Sequence, residues 1–321
     1  MSLVGVNTPY LQGEYGHDLA PNGRFPEWPV AFSEMAAYRP LIEAAELGFD
    51  AIRLWLCENG EGIVLDERGA IAGVHADLLK AVEIVSEAAA LHGLRVYWSL
   101  LDGNAIAREA DPVTRAIVTD GDARARFAEK VVAPIAGLLD PRLTVALEIV
   151  NEPETGTEAC MRDSDEVAEG AEAVTWEQLG ATIRLAGDAA RAEGVAHVTA
   201  GTMHVFLPEL WKVDPRLDAV DVHVYHPRGG LPSRADLAAY VGDDALKDPA
   251  LPLFGGECGI PKGADESTLP LLNYVHNAEA AGYDGVFLWQ LEGDLVDKGA
   301  PKRPITELGW EAKRLLAERR G

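Results

Sequence analysis

Eight short apolar runs recur along the 321 residues, separated for the most part by helix-like stretches, and this rhythm leaves few folds open. The runs cover positions 3–7, 50–55, 94–100, 143–150, 197–202, 219–225, 251–256 and 285–290. They are continuous rather than alternating, which suits parallel strands covered on both faces. Between them, 77–91 spaces its apolar residues three and four apart and meets a stop at His92-Gly93. The stretch 176–192 follows Thr175, a natural N-cap, and ends at Glu193-Gly194. Positions 122–139, 267–281 and 306–319 read as helices in the same way. Repeated strand–helix units without a linker predict a single domain over 1–321. Eight units predict an α/β, single-domain (β/α)8 TIM barrel rather than an open doubly wound sheet, whose commonest forms have fewer strands. Two connections are long, the Gly- and Pro-rich 8–30 and the acidic 154–174, and both are expected to be loops. Loops of that length in a compact domain are usually functional.

Charge narrows the partners. The chain carries 28 basic and 52 acidic residues, a net charge of −24, which argues against nucleic acid and anionic membrane surfaces. No apolar run is long enough to span a bilayer, and no signal-peptide pattern opens the chain. A soluble protein is expected, either cytoplasmic or secreted after loss of a leader. Three cysteines, Cys57, Cys160 and Cys258, lack paired metal spacing and are expected as thiols. A Cys57–Cys258 bridge stays open, although strands 8 and 1 should lie between them.

In a barrel, chemistry sits at the carboxyl ends of the strands. Those ends are polar here: Asn7, Arg53, Asp102, Asn151-Glu152, His204, His223 with Tyr225, Glu257 and Trp289. Unpaired buried polar groups cost about 1–3 kcal/mol each, so such a collection implies mutual pairing or a ligand. Glu152 and Glu257 each close an apolar strand, and two carboxylates facing one cavity are what glycosidic cleavage requires. Glu148 lies in mid-strand and is expected to tie strands together, with Arg53 as a partner. Of the tryptophans, Trp28 sits in a rim loop and is the best sugar-platform candidate. Trp55, Trp98, Trp176, Trp211 and Trp310 are expected in the core or on helix faces. Glu292, Asp294 and Asp297 after strand 8, and His17 and Asp18 in the first loop, read equally as hydroxyl ligands or as solvated acidic loop.

These residues resemble a known family. The run Glu148-Ile149-Val150-Asn151-Glu152-Pro153 matches the E-[IL]-x-N-E-P signature of clan A retaining glycoside hydrolases, most closely glycoside hydrolase family 5, the cellulase-like enzymes. His223-Val224-Tyr225 matches its strand-6 H-x-Y, Arg53 its strand-2 arginine, Glu257 its strand-7 glutamate and Trp289 its strand-8 tryptophan. The matched positions run from strand 1 to strand 8 in the right order. The resemblance implies hydrolysis of β-linked glycosides, β-1,4-glucan or mannan type, by double displacement without metal or organic cofactor. It implies Glu152 as acid/base, Glu257 as nucleophile, and Asn151 as donor to the sugar 2-hydroxyl. Trp289 would be a sugar floor, and His223 would orient Glu152 or bind a hydroxyl. Glu152 should accordingly sit in a drier place or close to another negative charge, and Glu257 among donors, Arg53 and Tyr225. The family usually carries a histidine near the end of strand 3. None is present, and Asp102 is the residue available for that contact. Two rivals remain: a carbohydrate-binding barrel without turnover, and a metal-dependent hydrolase using His223 and His226. The second lacks the H-x-H pair that usually ends strand 1 of such barrels.

Overall fold

The computed structural model describes residues 2–11, 15–27, 32–162, 164, 167–261, 269–300 and 302–320. Its core is a ring of parallel strands: β1 Leu3–Asn7, β2 Ala51–Trp55, β3 Arg95–Asp102, β4 Thr144–Asn151, β5, β6 Val220–Tyr225, β7 Leu253–Gly259 and β8 Gly285–Leu288. Strand β5 comes in two pieces, Val198–Thr199 and Gly201–Met203. The first piece pairs with β4 and the second with β6, so the ring closes through one continuous stretch of chain. The architecture is the (β/α)8 TIM barrel expected from the sequence. Strands β1 and β8 separate β2 from β7, and Cys57 and Cys258 are buried free thiols.

Helices cover the outside where apolar spacing called for them. Ala76–His92 ends at Gly93, whose φ of 69° supplies the left-handed cap. Trp176–Ala192 starts at a capping box in which Thr175 and Gln178 exchange side-chain to backbone bonds. The stretch expected as one helix over 122–139 is instead Gly121–Phe127, a π-turn Ala128–Val132, and Ala133–Ala136. Pro134 has no amide hydrogen to continue the i→i−4 ladder, and the helix widens just before it. The acidic 154–174 segment is not simply a loop. It contains the 3-10 turn Pro153–Gly156 and the helix Glu158–Arg162, and Thr157 bridges to Val174. Among the described residues no helix is long and apolar enough to cross a membrane.

Two apolar layers support the site. One large cluster packs strand faces against helices, with Ile52, Leu54, Val96, Ile149, Val222 and Cys258 contributing from the barrel. A second, smaller cluster unites Leu3, Ala51, Tyr97, Val145, Ala146, Ala219, Phe254 and Phe287. These residues lie toward the amino ends of their strands and plug the barrel floor. Strand alternation would continue Phe254's inward direction to Gly256 and turn Glu257 outward. A register shift between Phe254 and Glu257 on β7 prevents this. Phe254 pairs with Asp221 and Glu257 with His223, so three steps on β7 match two on β6. The added residue falls in Gly255-Gly256, and the Gly256 amide donates to Asp221 at 2.6 Å. The bulge thus returns Glu257 to the inward face.

Candidate active site

Register brings the strand-end residues to one level. Asn7 pairs with Arg53, Asp102 with Asn151, and His223 with Glu257. Arg53 is fully buried at the centre. Its Nη1 donates to Asn7 Oδ1 at 2.8 Å and to Glu257 Oε1 at 2.9 Å. Its Nη2 donates to Glu148 Oε2 and Asn151 Oδ1, both at 2.6 Å. Burial alone would favour a neutral guanidine, but Glu148 and Glu257 outweigh it and raise the pKa, so the charge is permanent. Breaking a buried pair of this kind typically costs about 3–5 kcal/mol, because the partner charge is stranded. Glu148 therefore has the tying role expected of it. Its other oxygen accepts from the Gly201 amide at 2.8 Å. A Cβ at Gly201 would collide with Glu148 and His223, which accounts for glycine at the point where β5 passes them.

Glu257 accepts a second bond, from the Tyr225 hydroxyl at 2.7 Å. Burial holds the Tyr225 phenol well above its usual pKa, so it stays a donor. Glu152 follows β4 with φ of 42°, a left-handed conformation that turns its side chain back over the cavity. Its Oε1 lies 3.0 Å from His223 Nδ1. Single oxygens of Glu152 and Glu257, with a His223 ring nitrogen, all fall within 4.8 Å of one another. A second such trio, Glu148, Asp221 and His223, lies deeper. Both trios share a histidine that has reason to be charged and sit against the fixed charge of Arg53, an arrangement electrostatically poor for a divalent cation.

The protons are distributed differently from the expectation. Burial lowers the pKa of His223, but Glu257, Glu152 and Asp221 outweigh it and raise it to about 10. Burial raises Glu152, yet the bond and charge of His223 bring it below the usual carboxylate range. Burial also pushes Glu257 up, and His223 and Arg53 only partly offset this. Of the two settings expected for Glu152, the drier one is not found, its side chain being 17% exposed against 4% for Glu257, whereas the neighbouring negative charge is present in Glu257 itself. The proton is stored on His223, one hydrogen bond from Glu152.

The remaining candidates fall into place around a cavity of about 790 Å³ lined by Glu152, Glu257, Asn151, Asp102, Tyr225 and Trp289, among others. Asn151 is held at both ends, by Arg53 and by a 2.9 Å bond from its Nδ2 to Asp102 Oδ1. Asp102 also accepts from Tyr15 Oη at 2.7 Å. The Trp289–Gln290 peptide is cis. Met203, not His204, reaches the cavity from β5. Asp294 lines it as well, whereas Glu292 is paired with Arg303 at 2.5 Å. Trp28 lies outside the described residues. Trp55, expected in the core, is 7% exposed and lines the cavity.

No protein-family model matches the sequence, and a search of curated proteins finds no match. Solved structures do match. A β-1,4-D-mannanase from Cryptopygus antarcticus superposes with a TM-score of 0.70 at 16% identity, over 98% of this chain and 90% of that one. The β-mannanase of the blue mussel Mytilus edulis gives 0.69 at 16% identity, over 99% and 92%. A GH5_18 protein from Streptomyces cattleya, solved with Manβ1-4GlcNAc, gives 0.67 at 20% identity, over 100% and 81%. The chain shares the barrel fold of these proteins. At such identities the likeness speaks for the fold alone.

Sequence reasoning missed three residues near the carboxylate pair. Tyr15 lies in a loop 87 positions from its partner Asp102, and no local pattern links them. Asp221 had a signal, because alternation in Val220–Tyr225 puts Asp221, His223 and Tyr225 on one face. Glu154 was passed over as loop. It is fully buried, accepting from Thr202 Oγ1 and the Met203 amide, each at 2.7 Å. Burial, then the charge of Glu152, pushes it up to about 8. A carboxyl raised from 4.5 in the unfolded chain to about 8 stabilises the fold fully below pH 4.5. That contribution is lost as pH rises through 8. Glutamine is uncharged like the protonated form: its oxygen can accept from the Met203 amide, and its nitrogen can donate to a Thr202 hydroxyl rotated to accept. In thermal melts at pH 5 and pH 8, Glu154→Gln is therefore expected to lose less stability between the two than the unaltered protein. Parallel pH dependence in both would contradict a neutral buried Glu154.

Proposed function

We propose that the protein is a retaining glycoside hydrolase acting on β-1,4-linked sugars of the mannan or glucan type. The observation that carries the proposal is the approach of one oxygen of Glu152 to one of Glu257 within 4.8 Å. Carboxyl groups about 5–5.5 Å apart belong to double displacement, whereas about 6.5–9.5 Å leaves room for the water of an inverting enzyme. Glu257, held by Arg53 and Tyr225, attacks the anomeric carbon. Glu152, open to the cavity and coupled to a proton store, protonates the departing oxygen. A seated sugar excludes water from Glu152 and raises its proton affinity, and the proton passes from His223 Nδ1. The leaving alcohol departs and the sugar remains as an ester of Glu257. Glu152 then takes a proton from water, which attacks the anomeric carbon and frees Glu257. Mannose is favoured over glucose because several similar folds are β-mannanases from different animals.

Aryl β-glycosides test this reading. Release of the aryl alcohol from a β-mannoside or β-glucoside is expected, undiminished by a chelator. Binding of oligosaccharide without release would favour the non-catalytic rival, and loss of activity on chelation would favour the metal-dependent one.

A further inference from the structure

Three rings wall one side of the cavity. Tyr10, Tyr15 and Trp55 meet edge to face, with centroids 5.8–6.3 Å apart. Trp55 continues to Trp289 at 6.3 Å. At the other end, the bond from Tyr15 Oη to Asp102 anchors the group to β3. The chain of contacts therefore runs from the end of β8, past β1 and β2, to the end of β3. All five side chains line the cavity. Thr155, Met203 and Arg108, none of them aromatic, line it near Glu152, and Tyr225 lines it beside Glu257.

These two sides are not equivalent for a glycosidase. The acid stands over the bond to the leaving group, so the leaving group departs toward the Glu152 side. The sugar that becomes attached to Glu257 lies on the other side, against the rings. A chain cut internally must continue beyond that sugar, through the space the rings occupy. We infer that the Tyr10–Tyr15–Trp55 wall confines the glycone site to a single sugar, making this an exo-acting enzyme that removes one terminal residue at a time. The inference rests on the glycosidase reading above. Asp102 accepts from Asn151, from the Asn104 amide and side chain, and from Tyr15, so the end of the ring wall is fixed to the β3 terminus.

Paired aryl substrates separate the possibilities. The aryl β-mannoside is expected to release its aglycone at once, and the aryl β-1,4-mannobioside only after a lag in which free mannose appears. Direct release from the mannobioside should be at least roughly 100-fold slower, since excluding a whole sugar exceeds the discrimination available from one methylene. Mannopentaose labelled at its reducing end should shorten by one unit per step. Tyr15→Ala should raise direct release from the mannobioside, and Tyr15→Phe, which keeps the ring, should not. Immediate release from the mannobioside, or internal cutting of the pentaose, by the unaltered protein would overturn the exo inference alone. No release from any mannoside or from the matching glucosides would overturn the glycosidase reading and this inference with it.

Discussion

Glu257→Ala is expected to lower turnover of an aryl β-glycoside by roughly 10⁵-fold or more, the scale seen when a covalent nucleophile is removed elsewhere. The substitution deletes the carboxylate proposed to form the sugar ester. It also strands Arg53 with one carboxylate fewer and leaves the Tyr225 hydroxyl without its acceptor. The fold should survive, because Arg53 keeps Glu148, Asn7 and Asn151. Azide or formate, small enough for the vacated space, should restore part of the rate. The product must then be inverted, because a single displacement replaces two. Activity near that of the unaltered protein, or rescue with retained configuration, would remove Glu257 from the nucleophile's role.

Glu152→Ala should behave differently. Loss of general acid catalysis typically costs about 10²–10⁴-fold, and only where the leaving group needs a proton. A dinitrophenyl glycoside, whose alcohol leaves unaided, should still react at the first step and accumulate as the ester on Glu257. An alkyl glycoside or oligosaccharide should be nearly inert. Azide would then intercept the ester from the face that water uses and give a glycosyl azide of retained configuration. The substitution also removes the acceptor beside His223 Nδ1, and with it part of what holds that imidazole near pKa 10. Activity remaining with the activated substrate should therefore show a basic limb shifted to lower pH. Equal losses for activated and unactivated substrates would contradict the division of labour.

Much of this was legible from residues alone, for identifiable reasons. Parallel strands covered on both faces leave continuous apolar runs, so the barrel could be read without alignment. Carboxylates that end such runs have one destination, and Glu152 and Glu257 reach it. The link between Arg53 and Glu148 was visible because a mid-strand charge must be paired. What escaped depends on distances between remote segments. Nothing in the first loop says that Tyr15 reaches Asp102. Trp55, expected in the core or on a helix face, is nearly buried yet lines the cavity, because the first loop places Tyr10 and Tyr15 against it. The proton's place on His223 escaped because it depends on three surrounding charges, Glu257, Glu152 and Asp221, and no single neighbour in the sequence reveals their sum. Strand ends shifted by a residue or more, as at β7, where a bulge rather than simple alternation turns Glu257 inward.

An activated 2-deoxy-2-fluoro-β-mannoside tests the central claim most directly, because the fluorine slows breakdown of a sugar ester more than its formation. Mass spectrometry of the intact protein should show one added fluorosugar, and peptide mapping should place it on Glu257. A label on Glu152, or steady hydrolysis of the reagent with no labelled protein at any time, would contradict the account.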